Sequence, residues 1–333
     1  MAETESRQFS LSDRIITLLN DYRVKYYPNL NARGIAKAVE EQSNYYIKYP
    51  MGKTPWKEES IQIAQIFYYL PLNYLRNLAV ANEICKRYPE LSQKQVVDFG
   101  AGLGAASSVV GETLKPKNIL AVEISENASS LSRQIGVSMA SDYTTNPPDF
   151  VEDDSIGWFS YSLTEIANPM PLLLPFDHVV IVEPSTQSDS QKLIDTREAL
   201  IKAGYEILAP CTHQSKCPLQ GNRSDWCHDK IQIELPEEMR EVESHLSWEN
   251  RDLTFSYLIA SRSIKNKTAG KVRMVGDPQF EKGKTRQMIC RSSDREFFSW
   301  LDRDKTYTSI ARGELVSEPS SYELKGNELR IKK

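Results

Sequence analysis

The sequence predicts an α/β protein built on a doubly wound, mostly parallel sheet of the Rossmann-like type. From about residue 95 onward, short apolar runs of strand length alternate with segments of helix length, which is typical of this fold class. A glycine-rich turn follows the first of these runs, and an acidic residue ends the second. The composition, with 40% hydrophobic and 26% charged residues, is that of an ordinary globular protein.

Residues 1–90 predict a helical region ahead of the sheet. The segment "LSDRIITLLNDYR" indicates one helix, because Ser12 is a suitable N-cap and apolar residues recur on one face. The segment "TPWKEESIQIAQIFYYL" indicates another, opened by Thr54 and Pro55. The region contains many tyrosines, which at helical spacing more often form core than cover a ligand or face a partner.

Residues 91–264 predict the sheet domain itself. Its strands are expected in "QVVDFG", "NILAVEI", "SIGWFSYSL", "HVVIVEPS", "YEILAPCT" and "LTFSYLIASR", with helices such as "SQKLIDTREALIKAG" between them. Short strand-like runs separated by Gly-Asp-Pro and Lys-Gly-Lys turns then predict a small basic β unit over residues 265–314. Residues 315–333 are polar, and we expect them to form a loosely held tail.

The charge of the chain is unevenly distributed. Its formal net charge of -4 does not by itself predict affinity for nucleic acid. Residues 262–291, however, contain nine Lys or Arg residues against only Asp277 and Glu281. We expect this basic segment, which includes Cys290, to contact RNA phosphates.

The motif "VVDFGAGLGAA" predicts a nucleotide-type binding site. Its strand ends at Asp98. A helix follows Gly100, Gly102 and Gly104, and the next strand ends at Glu123. Glycines permit a tight turn and a close approach of the backbone to a ligand, and an acidic residue so placed accepts hydrogen bonds from ribose hydroxyls. The spacing resembles the first motif of the S-adenosylmethionine-dependent methyltransferases more than the dinucleotide-binding pattern. The alternative is that the glycines serve only helix–sheet packing.

A second motif, Asn-Pro-Pro-Asp at residues 146–149, is similar to the turn that holds the target amino group in amino-methyltransferases. We discount it because residue 149 is an aspartate rather than an aromatic residue, and because the segment precedes the strand that would carry it. No residue is identified as a catalytic base, so the catalytic residues stay unknown.

Three of the five cysteines, Cys211, Cys217 and Cys227, lie in one predicted loop. Thiols at these intervals can converge on one metal site, which needs a fourth ligand. The candidates for that ligand are His213, His228 and Cys290. A catalytic thiol would need a single cysteine beside a base, and a disulfide is unusual in the reducing compartment that an odd, clustered cysteine count indicates. Zinc accepts Cys or His, whereas an iron–sulfur cluster usually takes four thiolates, so spacing leaves both open, with a chance cluster as the remaining alternative.

The order of several segments resembles a known family. The segments are "VVDFGAGLGAA", "YSLTEIA", "VIVEPST", "APCTHQSKCPL", "DWCH" and "FSYLIASR". They resemble the methyltransferase-like assembly factors of the small ribosomal subunit, found in mitochondria and bacteria, over roughly residues 60–300. The resemblance implies an S-adenosylmethionine-dependent methyltransferase fold and a 4Fe-4S cluster. The implied cluster ligands are Cys211, Cys217, Cys227 and Cys290, and the implied cofactor residues are Asp98, Gly100, Gly102, Gly104 and Glu123.

The resemblance further implies action on small-subunit ribosomal RNA in ribosome assembly or translation. The alternatives are an active RNA methyltransferase with a structural zinc site and a non-catalytic assembly scaffold, so whether the chain is an enzyme stays open. We expect a cytoplasmic protein, because the amino terminus has neither the apolar core of a secretory signal nor the composition of a transit peptide. We also expect a monomer without membrane segments, since no apolar run approaches the roughly 20 residues that span a bilayer.

Overall fold

The computed structural model describes residues 7–49, 52–148, 151–166, 168–303 and 309–332. Asp149, from the discounted Asn-Pro-Pro-Asp motif, lies outside these residues. The chain forms two compact units. The glycine-loop unit comprises Gln8–Ala167 and Gln232–Leu253, and the cysteine unit comprises Met1–Arg7, Asn168–Ile231 and Thr254–Lys333. These bounds differ from the division expected near residues 90 and 264, because the chain enters each unit more than once.

The helices and strands follow the predicted alternation. The helices are α1 (Asp13–Tyr26), α2 (Ala32–Lys48), α3 (Glu59–Ala64), α4 (Leu70–Arg87), α5 (Ala105–Thr113), α6 (Glu126–Ile135), α7 (Met170–Leu173), α8 (Gln187–Lys202) and α9 (Glu237–Ser244). The strands are β1 (Gln8–Ser10), β2 (Val96–Phe99), β3 (Ile119–Val122), β4 (Asp142–Thr144), β5 (Ile156–Ser160), β6 (His178–Glu183), β7 (Glu206–Ala209), β8 (Asp229–Glu234), β9 (Asp252–Ser261), β10 (Lys271–Met274), β11 (Gln279–Glu281), β12 (Lys284–Cys290), β13 (Glu296–Leu301), β14 (Leu315–Ser317), β15 (Tyr322–Lys325) and β16 (Glu328–Ile331).

The region before the sheet is helical, as the sequence predicts. Ser12 caps α1 by accepting the backbone N–H of Ile15, and a π-helical turn at Gln65–Tyr69 joins α3 to α4. The short strand β1 was not expected. It pairs in parallel with β8, with Phe9 opposite Ile233, and a three-residue strand with so distant a partner leaves no pattern in the local sequence.

The glycine-loop unit contains the first half of the predicted sheet. β2 pairs in parallel with β3 on one side and β5 on the other, and β3 pairs in parallel with β4. Counted along the chain, these four strands stand in the order 3-2-1-4, as in a Rossmann-like sheet. All four residues of β2 are buried, and the rings of Phe99 and Phe159 stack with centroids 4.7 Å apart. The predicted α/β, Rossmann-like fold class is confirmed.

The cysteine unit contains antiparallel strands. Within it β9 pairs antiparallel with both β6 and β7, so that one reversed strand stands between two strands of like direction. Every residue of β6 is buried, which matches its continuous apolar run. The sheet strands of the protein are therefore mixed in direction rather than all parallel.

A smaller sheet closes the cysteine unit, in the order β14-β10-β12-β13-β16-β15, with β11 paired to β12. Its core is formed by Val272, Met274, Ile289, Phe298, Trp300 and Leu329. The segment expected to be a polar tail supplies β14, β15 and β16, which pair with β10, with each other and with β13. These strands are short and mostly polar, and the residues that bury Leu329 are distant in sequence. The local sequence therefore resembles that of a polar tail.

In the described part of the chain, no helix is both long enough and apolar enough to cross a membrane.

Candidate functional site

The glycine loop between β2 and α5 is the first candidate site. Gly100, Gly102 and Gly104 have positive φ angles of 66°, 54° and 86°. A Cβ atom on Gly100 would lie 2.5 Å from the Cβ of Ser162, and one on Gly104 would overlap Ser138. At Gly102 the nearest described atoms are 3.9 Å from such a Cβ. Two of the glycines are therefore needed for packing, and the third leaves room at the surface of the loop.

Asp98, in β2, is buried beside this loop. Its Oδ2 accepts hydrogen bonds from the backbone N–H and the hydroxyl of Ser107, at 3.1 and 2.5 Å. Its Oδ1 has no hydrogen-bond partner among the residues that the structure describes. Burial, together with the charge of Glu123, raises the pKa of Asp98 to about 6. This oxygen therefore has acceptor capacity that no described residue uses.

Glu123, directly after β3, binds the backbone of the glycine loop. Its Oε2 accepts the N–H of Gly102 and its Oε1 the N–H of Ser125, both at 2.8 Å. These two hydrogen bonds fix the side chain in place. A carboxylate has about four acceptor positions, so Glu123 can still accept hydrogen bonds from hydroxyl groups. The structure thus brings the five predicted residues of this motif together, and their binding of a cofactor stays a prediction.

The turn that follows β5 contains residues that no sequence motif singles out as site residues. Tyr161 has a φ of 57°, which is uncommon for a residue other than glycine, and the next residue, Ser162, packs against Gly100. Glu165 follows in the same turn, where burial of its carboxylate and the charge of Glu123 raise its pKa. These residues lie in the segment "YSLTEIA", which in the sequence contributes to the family resemblance but indicates no role for any one residue.

The second candidate site is formed by the four clustered cysteines. Cys211 follows β7, Cys217 and Cys227 lie in the loop before β8, and Cys290 ends β12. The first three all interact electrostatically with Cys290, so the four thiols are neighbours. Three of them line a small cavity of about 40 Å³. The structure therefore gathers the four cysteines that the sequence singled out.

The surroundings of these thiols are apolar. The side chains that pack against the cysteines are Ile194, Leu219, Val275, Met288 and Phe297. Burial, with the neighbouring Cys211, raises the pKa of Cys217 to about 11, and burial also raises the pKa values of Cys227 and Cys290. Because a metal takes thiolate ligands, binding of one here would release the thiol protons.

Arg197 of α8 fixes the start of the cysteine loop. Its side chain is buried, its Nε donates to the Sγ of Cys211 at 3.2 Å, and its Nη2 donates to the carbonyls of His213 and Ser215, both at 2.9 Å. One arginine side chain therefore holds the first thiol of the loop and two of the carbonyls that follow it.

The other cysteines are held through their backbone. The hydroxyl of Thr212 donates to the carbonyl of Cys290 at 3.3 Å. The hydroxyls of Ser190 and Ser256 donate to the carbonyl of Cys227, at 2.6 and 2.9 Å. The loop is thus tied to α8, β9 and β12, which are the elements that surround the thiols.

The two loop histidines have different environments. The Nε2 of His213 is 3.4 Å from the Sγ of Cys290, and burial with the charge of Arg197 lowers the pKa of His213 to about 4. His228 instead accepts a hydrogen bond from Arg312, at 2.8 Å between Nη1 and Nε2. His213 therefore adjoins the cysteines as a neutral side chain, whereas His228 is engaged by a cation.

No three His, Cys, Asp or Glu side chains in the described ranges are arranged to hold one metal ion. The cysteines are gathered, but they do not form a ready-made site for a single ion. Four neighbouring thiols are nevertheless a donor set that suits a group bound by thiolates. Thiolate ligands suit both zinc and an iron–sulfur cluster, so both occupants stay alternatives.

The basic segment 262–291 is less positive in the structure than in the sequence. Arg273 is buried and donates to the carbonyls of Pro210 and Gly313. Four further cations form ion pairs, namely Lys265 with Glu206, Lys284 with Glu281 and Glu328, Arg286 with Glu281 and Glu328, and Arg291 with Glu296 and Glu318. The remaining four are exposed: Arg262, Lys267, Lys271 and Lys282. Most of the partner carboxylates lie outside the segment, which is why counting charges within it overstates its positive character.

One family model matches most of this chain, and solved structures of other proteins are similar to parts of it. A family model described as "Mitochondrial small ribosomal subunit Rsm22" matches residues 59–301, which include the glycine loop and all four clustered cysteines. No curated protein matches the chain. Among solved structures, the chain is similar to magnesium protoporphyrin IX methyltransferase from Synechocystis PCC 6803, with 13% identity, 58% of this chain and 84% of that chain covered, and a TM-score of 0.35. It is also similar to the ribosomal protein L11 methylase from Lactobacillus delbrueckii subsp. bulgaricus, with 13% identity, coverages of 57% and 80%, and a TM-score of 0.34.

Proposed function

The chain belongs to the family of the mitochondrial small ribosomal subunit protein Rsm22, and on this premise we propose that it is a methyltransferase-like protein that acts on the RNA of the small ribosomal subunit. In this proposal it binds S-adenosylmethionine at the glycine loop and a 4Fe-4S cluster at the four cysteines. The observation that carries the proposal is that one family match includes both sites, on a Rossmann-like fold.

The glycine loop fits the cofactor for reasons of hydrogen bonding and space. The residues proposed to bind S-adenosylmethionine are Asp98, Gly100, Gly102, Gly104 and Glu123. Glu123 is fixed by the loop backbone and offers acceptors for ribose hydroxyls, and Asp98 has an oxygen without a partner in the described structure. Room at Gly102 lets a ligand approach the backbone. When bound, the cofactor would supply an electrophilic methyl group.

The cysteines fit a cluster because the four thiols are neighbours and the guanidinium of Arg197 is held beside the first of them. The proposed ligands are Cys211, Cys217, Cys227 and Cys290. A group bound by all four would join the loop before β8 to the end of β12 and would hold the small sheet in place. Zinc is the alternative occupant, since it accepts the same ligands and His213 is within reach of Cys290.

Contact with ribosomal RNA is proposed for the exposed cations of the basic segment. Four of its nine cations, Arg262, Lys267, Lys271 and Lys282, are exposed. Phosphate contacts by such side chains provide affinity without sequence specificity. Because the segment leads into Cys290, loss of the cluster would disorder it and weaken RNA binding.

The metal is tested by purifying the protein without oxygen and measuring its visible absorbance, iron, sulfide and zinc. The proposal expects a coloured protein with iron and sulfide, and a colourless protein loaded with zinc would overturn it. Cys290→Ser should lose the cluster and the RNA affinity while the chain remains folded. Cys85→Ser, at an exposed cysteine of α4, is the matched control and should change neither. Retained RNA affinity in Cys290→Ser would contradict the link between metal and RNA.

Two other functions give different results in a methylation assay. An active RNA methyltransferase with a structural zinc would transfer labelled methyl groups from S-adenosylmethionine to small-subunit RNA. A non-catalytic scaffold would transfer none, with or without bound cofactor. A monomeric state and a cytoplasmic location remain predictions, and the description of the family names the mitochondrial ribosome.

A further inference from the structure

The turn after β5 lies at the same edge of the sheet as the glycine loop. β2 and β5 are adjacent and parallel, so the chain leaves both strands on the same side. The contact between Ser162 and Gly100 joins the two segments. Tyr161 takes its left-handed conformation at this point, with the guanidinium of Arg76 5.5 Å from its ring centroid. The turn is therefore fixed against the loop rather than extended into solvent.

Among the residues that the structure describes, two buried polar atoms at this junction have no hydrogen-bond partner. Ser162 is only 8% exposed, and its Oγ has no hydrogen-bond partner within the described ranges. That oxygen is 3.3 Å from the position that a Cβ on Gly100 would take. The Oδ1 of Asp98, a residue 1% exposed, is likewise without a partner in those ranges. Buried polar atoms are nearly always paired, so two such atoms beside a glycine loop fit a site that hydrogen-bonds a ligand.

The junction is also acidic. The backbone N–H of Glu165 donates to the carbonyl of Ser162 at 3.3 Å, which places Glu165 in the same turn. Burial of its carboxylate and repulsion from Glu123 raise the pKa of Glu165, and Lys53 is the cation that opposes this effect. Glu165 is nevertheless an exposed residue, so it lies at the surface of the junction between this turn and the glycine loop. A positive charge on a ligand would relieve the repulsion between the two glutamates.

We propose that Glu165 makes the glycine-loop site select S-adenosylmethionine, which is cationic, over S-adenosylhomocysteine, which is neutral; this inference rests on the proposed function. Both ligands carry the same adenosine, ammonium and carboxylate groups, and only the first carries a sulfonium. Hydrogen bonds that Asp98 and Glu123 accept, and those that the Ser162 hydroxyl makes, therefore serve both ligands, whereas attraction to the additional carboxylate of Glu165 favours the sulfonium. Glu165 is a specificity-determining residue of this site.

The selection has a consequence for either form of the proposed function. In an active enzyme, the charged ligand would bind tightly and the neutral product would leave readily. In a scaffold without turnover, occupancy of the site would follow the ratio of the two ligands. The inference therefore does not depend on whether the chain transfers a methyl group.

The test is isothermal titration of the full-length protein with S-adenosylmethionine and with S-adenosylhomocysteine at neutral pH. Wild type should bind the first more tightly. Glu165→Gln should weaken S-adenosylmethionine binding about tenfold and leave S-adenosylhomocysteine binding unchanged. Added salt should weaken the first interaction more than the second in wild type, and this difference should shrink in the variant. The matched control is Glu152→Gln, an exposed glutamate just before the amino end of β5, which should change neither affinity.

The outcomes separate this inference from the proposed function. Equal affinities of wild type for both ligands, or an equal loss of both in Glu165→Gln, would overturn the selection while leaving the cofactor site intact. Binding of neither ligand by wild-type protein would overturn the proposed cofactor site, and the selection with it. Glu165 is exposed, so the variant should fold, and its circular dichroism spectrum checks this directly.

Discussion

The Nε of Arg197 is 3.2 Å from the Sγ of Cys211, and the same guanidinium donates to the carbonyls of His213 and Ser215. The side chain is 2% exposed and also pairs with Glu198. One residue of α8 therefore determines both the path of the cysteine loop and the charge beside its first thiol.

We expect Arg197→Met to lower the free energy of unfolding by about 3 kcal/mol, because the buried guanidinium is the donor to two backbone carbonyls and one thiol. The same variant should retain less iron or zinc per chain. Urea denaturation and metal analysis measure the two effects. Lys202→Met, at an exposed position of the same helix, is the control and should change neither. A variant with wild-type stability and metal content would show that Arg197 does not hold the loop.

Replacing Asp98 with Asn should make stability less dependent on pH. Burial and Glu123 raise the pKa of Asp98 to about 6 in the folded protein, against about 3.9 in an unfolded chain. The folded state therefore binds this proton more tightly, and the resulting stabilisation, present below the unfolded pKa, is lost as the pH rises through about 6. The shift corresponds to at most about 3 kcal/mol.

Urea denaturation of wild type and Asp98→Asn at about pH 4 and about pH 7 measures this effect. Wild type should lose stability relative to the variant on going to the higher pH. Asparagine retains an oxygen that can accept from Ser107, so the comparison isolates the ionisable group. Parallel stability profiles of the two proteins would contradict the raised pKa.

Gly102→Ala should separate ligand binding from folding. Gly102 and Gly136 both have left-handed backbones, and neither has an atom close to where a Cβ would stand in the described structure. Each alanine should therefore cost about 1–2 kcal/mol of stability for its backbone alone. Only Gly102→Ala should lose the rise in melting temperature caused by S-adenosylmethionine. If both variants keep that rise, the glycine loop does not bind the cofactor.

The sequence predicts that the glycine-loop residues lie together, because their relationship is local. Asp98 and the glycines lie in one strand and turn, and the next parallel strand brings Glu123 to the same edge. The partnership of Ser162 with Gly100 could not be predicted in this way. It depends on β5 pairing beside β2 and on the left-handed backbone of Tyr161, and neither leaves a periodic pattern.

The cysteine site shows the same distinction. The loop cysteines cluster visibly in the sequence, but the bond from Arg197 to Cys211 joins the loop to a helix in which arginine looks like an ordinary surface residue. The positive charge of the basic segment is overestimated from the sequence for a related reason. Its charges are counted locally, whereas partners such as Glu206 and Glu328 lie in other strands.

Ser162→Ala should leave the free protein at least as stable as wild type. The hydroxyl is buried without a partner in the described ranges, so its removal deletes an unsatisfied polar group. The same change should reduce the melting-temperature shift caused by either S-adenosylmethionine or S-adenosylhomocysteine. Scanning calorimetry with and without each ligand makes the comparison. A clear loss of stability without ligand would mean that the hydroxyl has a structural partner instead.

Lys282 and Lys284 stand on the same hairpin of the small sheet and should differ in their effect on RNA binding. Lys282 is exposed, whereas Lys284 pairs with Glu281 and with Glu328, the latter at 2.7 Å. Lys282→Ala should therefore weaken binding to small-subunit RNA and reduce the slope of log affinity against log salt by about 1, because one phosphate contact is lost. Lys284→Ala should change RNA affinity little, since its charge is already neutralised. Filter binding over a series of salt concentrations distinguishes the two, and equal effects of both substitutions would mean that the ion pairs do not control which cations reach RNA.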